Sequence, residues 1–184
     1  KRANASIAKG RFKDEIVPVK IPQRKGDPII FDTDECCKET SLELLSKMRP
    51  AFKKDGVGTA GNASIISDGA SALVVMSENK AKELGCEIMA TIGSQCSYGI
   101  DMKYVLMAPI FAIPKVLKKQ GLSISDIDLF EINEAFAGSS AGINKVLDLD
   151  PERVNVNGGS VALGHPIGAS GARVLTTLLY EMKK

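Results

Sequence analysis

The sequence has few of the residues and patterns that mark several common functional classes. Its 184 residues include no tryptophan and one histidine, and no C-x-x-C spacing occurs among its four cysteines, Cys36, Cys37, Cys86 and Cys96. Zinc sites are generally built from closely spaced ligand pairs, so we expect no metal and reduced thiols. No apolar run reaches the roughly 18 residues that a membrane span needs. These absences favour a cytoplasmic protein without a membrane partner.

The start of the sequence also lacks familiar signals. It does not begin with methionine, and no apolar run follows the basic segment 1–11. A signal peptide places an apolar stretch directly after its basic residues. We therefore expect no signal peptide, and an internal start or a processed product.

The net charge is small but unevenly distributed. The formal value is +2, too low to predict a nucleic-acid partner. Residues 1–55 contain 13 Lys and Arg against 9 Asp and Glu, whereas the remainder contains 11 against 13. The basic part suits a polyanionic ligand such as a phosphorylated cofactor, and it suits a merely solvated surface equally well.

Hydrophobic periodicity and turn residues predict an alternation of strands and helices. Strands are predicted at 15–19, 29–31, 70–76, 87–94, 129–132 and 154–156. Helices are predicted at 41–48, 77–85, 108–119, 134–147 and 168–183, with Pro114 expected to kink the third or delay its start. Such alternation is typical of a layered α/β architecture, and a boundary is expected near residues 56–80.

Two short motifs match known fingerprints in an unsuitable context. Residues 56–61 match G-x-G-x-x-G, but a dinucleotide site needs a strand before the motif and a helix directly after it. Residues 138–142 match G-x-S-x-G, but a nucleophile elbow lies at a strand-to-helix turn, whereas these residues fall inside a predicted helix. Neither a nicotinamide site nor a serine hydrolase is favoured.

His165, the only histidine, lies in a loop rich in glycine. A lone histidine is usually structural, but this one is flanked by Gly164 and Pro166 and precedes a predicted helix. Glycines let a backbone approach a ligand closely, and the positive end of the helix disfavours an imidazolium. A neutral imidazole can take a proton from a thiol or donate to an oxyanion.

Asn133 lies where a predicted strand meets a predicted helix. The ends of strands in α/β sheets commonly bind ligands. An asparagine at this position is also a good helix N-cap. Residue type alone leaves both interpretations open.

Taken together, these segments resemble the thiolase family. N-E-A-F-A at 133–137 is followed by N-V-N-G-G-x-x-A-x-G-H-P-x-G-A-S-G-A-R at 155–173. Shorter stretches at 10–18, 61–64 and 67–70 fit the same pattern. The resemblance extends over essentially the whole chain.

The resemblance implies a layered αβαβα fold, represented mainly by its C-terminal half. It implies that 1–56 ends the loop domain that cradles coenzyme A, that 57–76 closes the N-terminal thiolase half, and that 77–184 is the C-terminal half. His165 would activate a nucleophilic cysteine and contribute to an oxyanion hole, Asn133 would position a water there, and Phe136 would line the acyl pocket. Positions that contact the pantetheine arm match Ser64, Ala60 and Phe52.

The departures from the family pattern are equally informative. The nucleophilic cysteine of the family lies in a part that this sequence does not contain, and the second cysteine lies in a C-x-G-G-G motif expected beyond Lys184. Cys37 and Leu44 occupy positions where the family often has a basic residue and a serine that contact coenzyme A. These replacements bear on the affinity for the cofactor.

The sequence therefore predicts part of a biosynthetic-type acetyl-CoA acetyltransferase. The parent protein would exchange acyl groups between coenzyme A thioesters as substrates, with no tightly bound cofactor, and would form a homo-oligomer. This chain alone is expected to be inactive. A β-ketoacyl synthase-like condensing enzyme and a non-catalytic fragment, stable only by association, remain the alternatives.

Overall fold

The computed structural model describes all 184 residues of the chain. Helices dominate, and only two strands belong to a regular sheet. The helices are α1 (Arg2–Ala8), α2 (Leu42–Ser46), α3 (Glu78–Glu83), α4 (Pro109–Gln120), α5 (Ala137–Leu147), α6 (Ser160–Leu163) and α7 (Ser170–Met182). Three short 3-10 helices lie at Met102–Met107, Ile124–Asp126 and Pro151–Arg153.

The sheet is an antiparallel hairpin near the start of the chain. Strand β1 (Val19–Ile21) pairs with β2 (Ile29–Phe31), so that Val19 lies opposite Phe31. The second strand agrees with the sequence prediction, whereas the first begins later than predicted. The predicted start is wrong because the amides of Glu15 and Ile16 both donate to the Phe12 carbonyl, which closes a turn there.

Three of the predicted helices are confirmed together with their end signals. The Ser41 hydroxyl accepts from the Leu44 amide at the start of α2, and the Ser77 hydroxyl accepts from the Lys80 amide at the start of α3. Helix α4 ends at Gly121, whose φ of 69° lies in the left-handed region that glycine adopts without strain. Pro114 lies inside α4, which continues through it from Pro109.

Helix α5 begins three residues later than the sequence predicted. Phe136, with an extended backbone, is its N-cap, and Asn133 lies outside the helix. The delay arises because the Ser64 amide donates to the Ala135 carbonyl and the Ala137 amide donates to the Asn62 carbonyl, so the preceding residues are bound to another segment. The interpretation of Asn133 as a helix N-cap is therefore wrong.

Four predicted strands do not form as regular strands. Segments 70–76 and 87–94 have no backbone–backbone hydrogen bonds, because no other strand of this chain runs alongside them. In the second segment, Gln120 of α4 instead donates to the carbonyl of Gly93. The predicted strands 129–132 and 154–156 are reduced to a single parallel bridge between Phe130 and Val154.

The core is small and divided in two. Only 16 of 184 residues are buried, so much apolar side-chain area stays accessible. One cluster contains Ala3, Phe12 and Leu163, and it joins helix α1, which the sequence did not predict, to α6. The other contains Ile143, Leu149 and Val154. None of the helices is both long and apolar enough to cross a membrane.

We expect the isolated chain to expose apolar surface in solution. Val74 and Val75 are 86% and 70% exposed, and Ile66 is 83% exposed. Contiguous apolar patches beyond a few hundred Å² normally mark an interface or an aggregation hazard. A hydrophobic fluorescent dye should therefore bind, and sedimentation across a concentration series should show self-association. A cooperatively unfolding monomer that binds no dye would contradict this expectation.

Candidate active site

The site is built where two motifs meet, the N-E-A-F-A segment (residues 133–137) and the histidine loop (residues 155–168). Asn155 joins them. Its amide donates to the Phe130 carbonyl at 2.8 Å, and its side chain both accepts from the Ile132 amide at 2.8 Å and donates to the Ile132 carbonyl at 2.9 Å. Asn155 has a φ of 47°, a left-handed conformation that asparagine tolerates better than most residues. Both backbone groups of Ile132, the residue directly before Asn133, are thus hydrogen-bonded to the Asn155 side chain.

A second connection comes from the segment 62–66, which we call the clamp segment. At one end it pairs with the N-E-A-F-A segment through an antiparallel bridge between Ala63 and Phe136. At the other end the His165 amide donates to the Ile65 carbonyl at 2.8 Å. One short stretch of backbone therefore fixes both motifs.

The two predicted site residues lie together. Asn133 Nδ2 is 3.4 Å from His165 Nε2, although the residues are 32 positions apart in the sequence. Both residues are partly buried, so part of each remains accessible to solvent. The predicted proximity of the two side chains is confirmed.

The contact made by the second ring nitrogen of His165, Nδ1, indicates which nitrogen carries the proton. His165 Nδ1 is 2.6 Å from Ser170 Oγ, and Ser170 Oγ donates its only proton to the Pro166 carbonyl at 3.0 Å. The hydroxyl must then accept from Nδ1–H for both contacts to be hydrogen bonds. Nε2 is left as the unprotonated nitrogen, so the imidazole can accept a proton on the side of Asn133.

Glu134 is a structural member of the site that the sequence analysis did not single out. Its carboxylate accepts from Asn155 Nδ2 at 3.0 Å and from the Val161 amide at 3.3 Å. A β-carbon at Gly159 would collide with this carboxylate, so a larger residue there would push the Glu134 carboxylate out of its present position. The available signal was that Glu134 is the one charged residue of the motif.

Two of the residues predicted to contact the substrate, Phe52 and Ser64, lie against the N-E-A-F-A segment, which itself contains Phe136. Phe52 and Phe136 form an edge-to-face pair with ring centroids 5.7 Å apart, and Phe52 remains 71% exposed. Ser64 Oγ donates to the Ala135 carbonyl at 2.9 Å, and Ala60 is exposed on the loop before the clamp segment. An exposed aromatic pair beside a partly buried hydroxyl offers both apolar and polar contacts to a ligand.

The four cysteines have no hydrogen bond to His165. Cys37 donates to the Ala162 carbonyl at 3.3 Å, and burial, followed by the nearby Asp34 and Cys36, raises the pKa of its thiol. Cys36 lies 3.8 Å from Ser67 Oγ. Leu44, on α2, is 56% exposed. No cluster of three or more His, Cys, Asp and Glu side chains is arranged to hold a metal ion.

A buried ionic group lies next to the site around Arg173. The Glu131 carboxylate is 3.9 Å from Arg173 Nη1, and the Glu131 side chain is only 4% exposed. Burial raises the pKa of Glu131 to about 7, against the opposing attraction of Arg173. The pKa values of Glu15 and Asp34 are also raised by burial, again opposed by Arg173. One guanidinium thus faces three desolvated carboxyl groups.

Comparison with known proteins identifies the class to which this α/β arrangement belongs. A family model described as "Thiolase, C-terminal domain" matches residues 86–184, and one described as "Thiolase, N-terminal domain" matches residues 1–79. The chain belongs to the thiolase family.

Individual relatives agree with the family. The chain is 55% identical over 184 residues to an acetyl-CoA acetyltransferase of Thiocystis violacea, covering 100% of this chain and 47% of the relative. It is 56% identical over 183 residues to a probable acetyl-CoA acyltransferase of Staphylococcus aureus, covering 99% of this chain and 46% of the relative. The chain therefore spans about half the length of these curated relatives.

Solved structures show that the fold is thiolase-like. The acetyl-CoA acetyltransferase of Bacillus anthracis superposes with a TM-score of 0.95 at 46% identity, over 99% of this chain and 46% of that one. A human mitochondrial 3-ketoacyl-CoA thiolase in complex with CoA superposes with a TM-score of 0.90 at 39% identity, over 99% of this chain and 45% of that one. The backbone thus keeps the family arrangement even where strands lack neighbours.

We predict that Glu131→Gln changes how stability depends on pH. A carboxyl whose pKa is about 7 in the folded chain, against an ordinary value of 4.5, keeps its proton in the folded state at pH values where the unfolded chain has lost it. Wild-type stability therefore falls as pH rises from 4.5 towards about 7 and is then constant with respect to this group. The variant has no such carboxyl group. The difference in unfolding free energy, variant minus wild type, should therefore increase by roughly 3 kcal/mol between acidic and neutral pH.

Urea unfolding of both proteins at several pH values gives the measurement. The difference between the two curves isolates Glu131, since Glu15 and Asp34 titrate in both proteins. A difference that stays constant between acidic and neutral pH would contradict the burial of an uncharged carboxyl at this position.

Proposed function

We propose that this chain supplies the histidine- and asparagine-bearing part of a thiolase active site. The parent protein would join two acetyl-CoA molecules to acetoacetyl-CoA with release of coenzyme A, and would catalyse the reverse thiolysis. The observation that carries the proposal is the convergence of Asn133 Nδ2 and His165 Nε2, 3.4 Å apart, on a thiolase fold.

The unprotonated Nε2 accounts for the first chemical step. A cysteine thiol of the parent would lose its proton to His165 Nε2, and the resulting thiolate would attack the thioester carbonyl. Because Nδ1–H already donates to Ser170, the imidazolium that forms has its new N–H directed to the side of Asn133. Nucleophile activation thus creates a donor at the place where negative charge develops.

The same two side chains account for stabilisation of the oxyanion. After proton transfer, Nε2–H and the Asn133 amide group are neighbouring donors, the latter acting directly or through a bridging water. An oxygen that becomes negative in the tetrahedral intermediate, or in the enolate of acetyl-CoA, would lie between them. Pre-oriented donors of this type commonly supply a large share of catalysis in acyl transfer.

The predicted coenzyme A contacts fit this geometry as a path towards the site. Phe52 and Phe136 provide apolar faces for the pantetheine arm and the acyl group, and Ser64 lies one residue from the Ala63–Phe136 bridge. The basic segment 1–55 would face the phosphates of the cofactor. Cys37 contributes little to cofactor binding in this arrangement, because its thiol donates to a backbone carbonyl.

The single histidine and the intact N-E-A-F-A motif favour a thiolase over a β-ketoacyl synthase-like enzyme. We also propose that the parent is a homo-oligomer without a tightly bound cofactor, and that this chain alone does not turn over substrate. A non-catalytic fragment is the remaining alternative.

A chimaera tests the proposal without requiring further sequence of the parent. The 184 residues would replace the matching 47% of the Thiocystis violacea acetyl-CoA acetyltransferase, so that the remainder comes from that relative. Acetoacetyl-CoA loss in the presence of coenzyme A is then measured. We expect activity in the chimaera and a loss of roughly 10²- to 10⁴-fold in His165→Ala, since general acid–base groups contribute about that much.

Ser140→Ala in the same chimaera is the matched control. Ser140 is the central serine of the G-x-S-x-G match and lies within α5, where its hydroxyl has no hydrogen-bond partner. Its removal should leave thiolysis unchanged. A folded chimaera that is inactive, or one in which His165→Ala retains full activity, would contradict the proposed function.

A further inference from the structure

Asn133 has a second neighbour whose role the proposed function does not explain. Ser160 Oγ donates to Asn133 Oδ1 at 2.6 Å, and Arg173 Nη2 donates to the same Ser160 Oγ at 3.3 Å. Ser160, at the start of α6, is 0% exposed, so water cannot replace either partner. Arg173 belongs to α7, the helix that also carries Ser170.

The two serines and the two site residues form one continuous row of hydrogen bonds. The row begins at Arg173, whose guanidinium can only donate, and ends at the Pro166 carbonyl, which can only accept. Between these ends lie, in order, Ser160, Asn133, His165 and Ser170. Because one end can only donate and the other can only accept, the donor and the acceptor of every hydrogen bond between them are fixed.

The direction can be followed step by step. Ser160 Oγ accepts from Arg173, so its own proton goes to Asn133 Oδ1. The Asn133 amide therefore turns its NH₂ group towards His165 Nε2, which must be the accepting nitrogen. This result agrees with the assignment reached independently from Ser170 and Pro166 at the other end.

The reversed amide is disfavoured by the same groups. With Asn133 turned over, Ser160 Oγ would face two donors, and its own proton would have no acceptor in a fully buried place. Asn133 Oδ1 would then require a proton on His165 Nε2, and Ser170 would have to abandon the Pro166 carbonyl to donate to Nδ1. Unpaired buried donors are costly, so both changes oppose the reversal.

Arg173 lies beside a buried acidic side chain. Its Nη1 is 3.9 Å from the Glu131 carboxylate, and its side chain is 20% exposed. Glu131 lies two residues before Asn133, so the carboxyl group nearest to Arg173 belongs to the segment that leads into Asn133.

We propose that Arg173 and Ser160 are positioning residues that set the orientation of the Asn133 amide and thereby keep His165 in the Nδ1–H tautomer, with Nε2 free to accept a proton. The inference rests on the proposed function only for its catalytic consequence, that Nε2 is ready to deprotonate a thiol. The hydrogen-bond row itself is a property of this chain.

Nitrogen NMR of the 184-residue chain reads the tautomer directly, because His165 is its only histidine. The ¹⁵N-labelled chain is studied at about pH 8.5, where imidazole side chains are neutral. An unprotonated ring nitrogen resonates far downfield of a protonated one. We expect Nε2 to be the unprotonated nitrogen in wild type. In Ser160→Ala the population should shift towards the Nε2–H form that free imidazole side chains favour.

The control is Ser140→Ala, which removes a buried serine hydroxyl outside the row and should leave both ring signals unchanged. If Ser160→Ala does not fold, Arg173→Met combined with Glu131→Gln removes the same directing donor together with the charge of its neighbouring carboxylate, and should produce the same shift. Asn133→Asp should protonate Nε2, because a carboxylate can only accept.

A wild-type chain with Nε2 protonated would overturn the proposed direction of the row. A wild-type tautomer that persists in folded Ser160→Ala, or in the folded double variant, would show that Arg173 and Ser160 do not set it. These outcomes concern the histidine alone, so they are distinguishable from failure of the thiolysis experiment on the chimaera.

Discussion

The hydrogen bonds of the clamp segment, residues 62–66, are the constraint on which the candidate site depends. They hold the N-E-A-F-A segment at one end and the amide of His165 at the other. Without them, α5 would be free to begin at Glu134, with Asn133 as its N-cap, as its sequence alone predicts. The clamp segment therefore has two effects. It sets the first residue of α5 at Ala137, and it holds the histidine loop beside residues 133–136, which stay outside the helix.

Buried polar groups are concentrated around this region, in a chain with a small apolar core. Asn155, Asn157, Ser160 and Ser170 are all buried, and each has a hydrogen-bond partner. A chain of buried hydrogen bonds is directional, because each donor in it pairs with an acceptor. Packing of apolar side chains alone would leave the Asn133 amide free to adopt either orientation, whereas this network selects one. The orientation proposed for the Asn133 amide thus follows from the hydrogen-bonding capacities of Ser160 and Arg173.

Sequence reasoning succeeded where the information is local. Ser41 and Ser77 start helices and Gly121 ends one, since caps depend on a few neighbouring residues. The proximity of Asn133 and His165 was also predictable, because both lie at ends of predicted elements within motifs typical of one family.

Sequence reasoning failed where the outcome depends on distant partners. The apolar, β-branched segment 70–76 has the composition of a strand, but a strand needs a neighbour to accept and donate its hydrogen bonds, and this chain provides none. Helix α1 was missed because its small residues gain their burial only against Leu163, far along the sequence. Ser160 gave no signal at all, since a serine in a glycine-rich loop acquires meaning only from Asn133 on one side and Arg173 on the other.

The most direct test of the central claim is a crystal structure of the chimaera with coenzyme A bound. We expect coenzyme A to pass between Phe52 and Ser64, with its sulfur beside Asn133 and His165. An oxygen or a water should be bound between Asn133 Nδ2 and His165 Nε2. Coenzyme A bound elsewhere, or His165 turned away from the cofactor sulfur, would contradict the assignment of these two residues to acyl transfer.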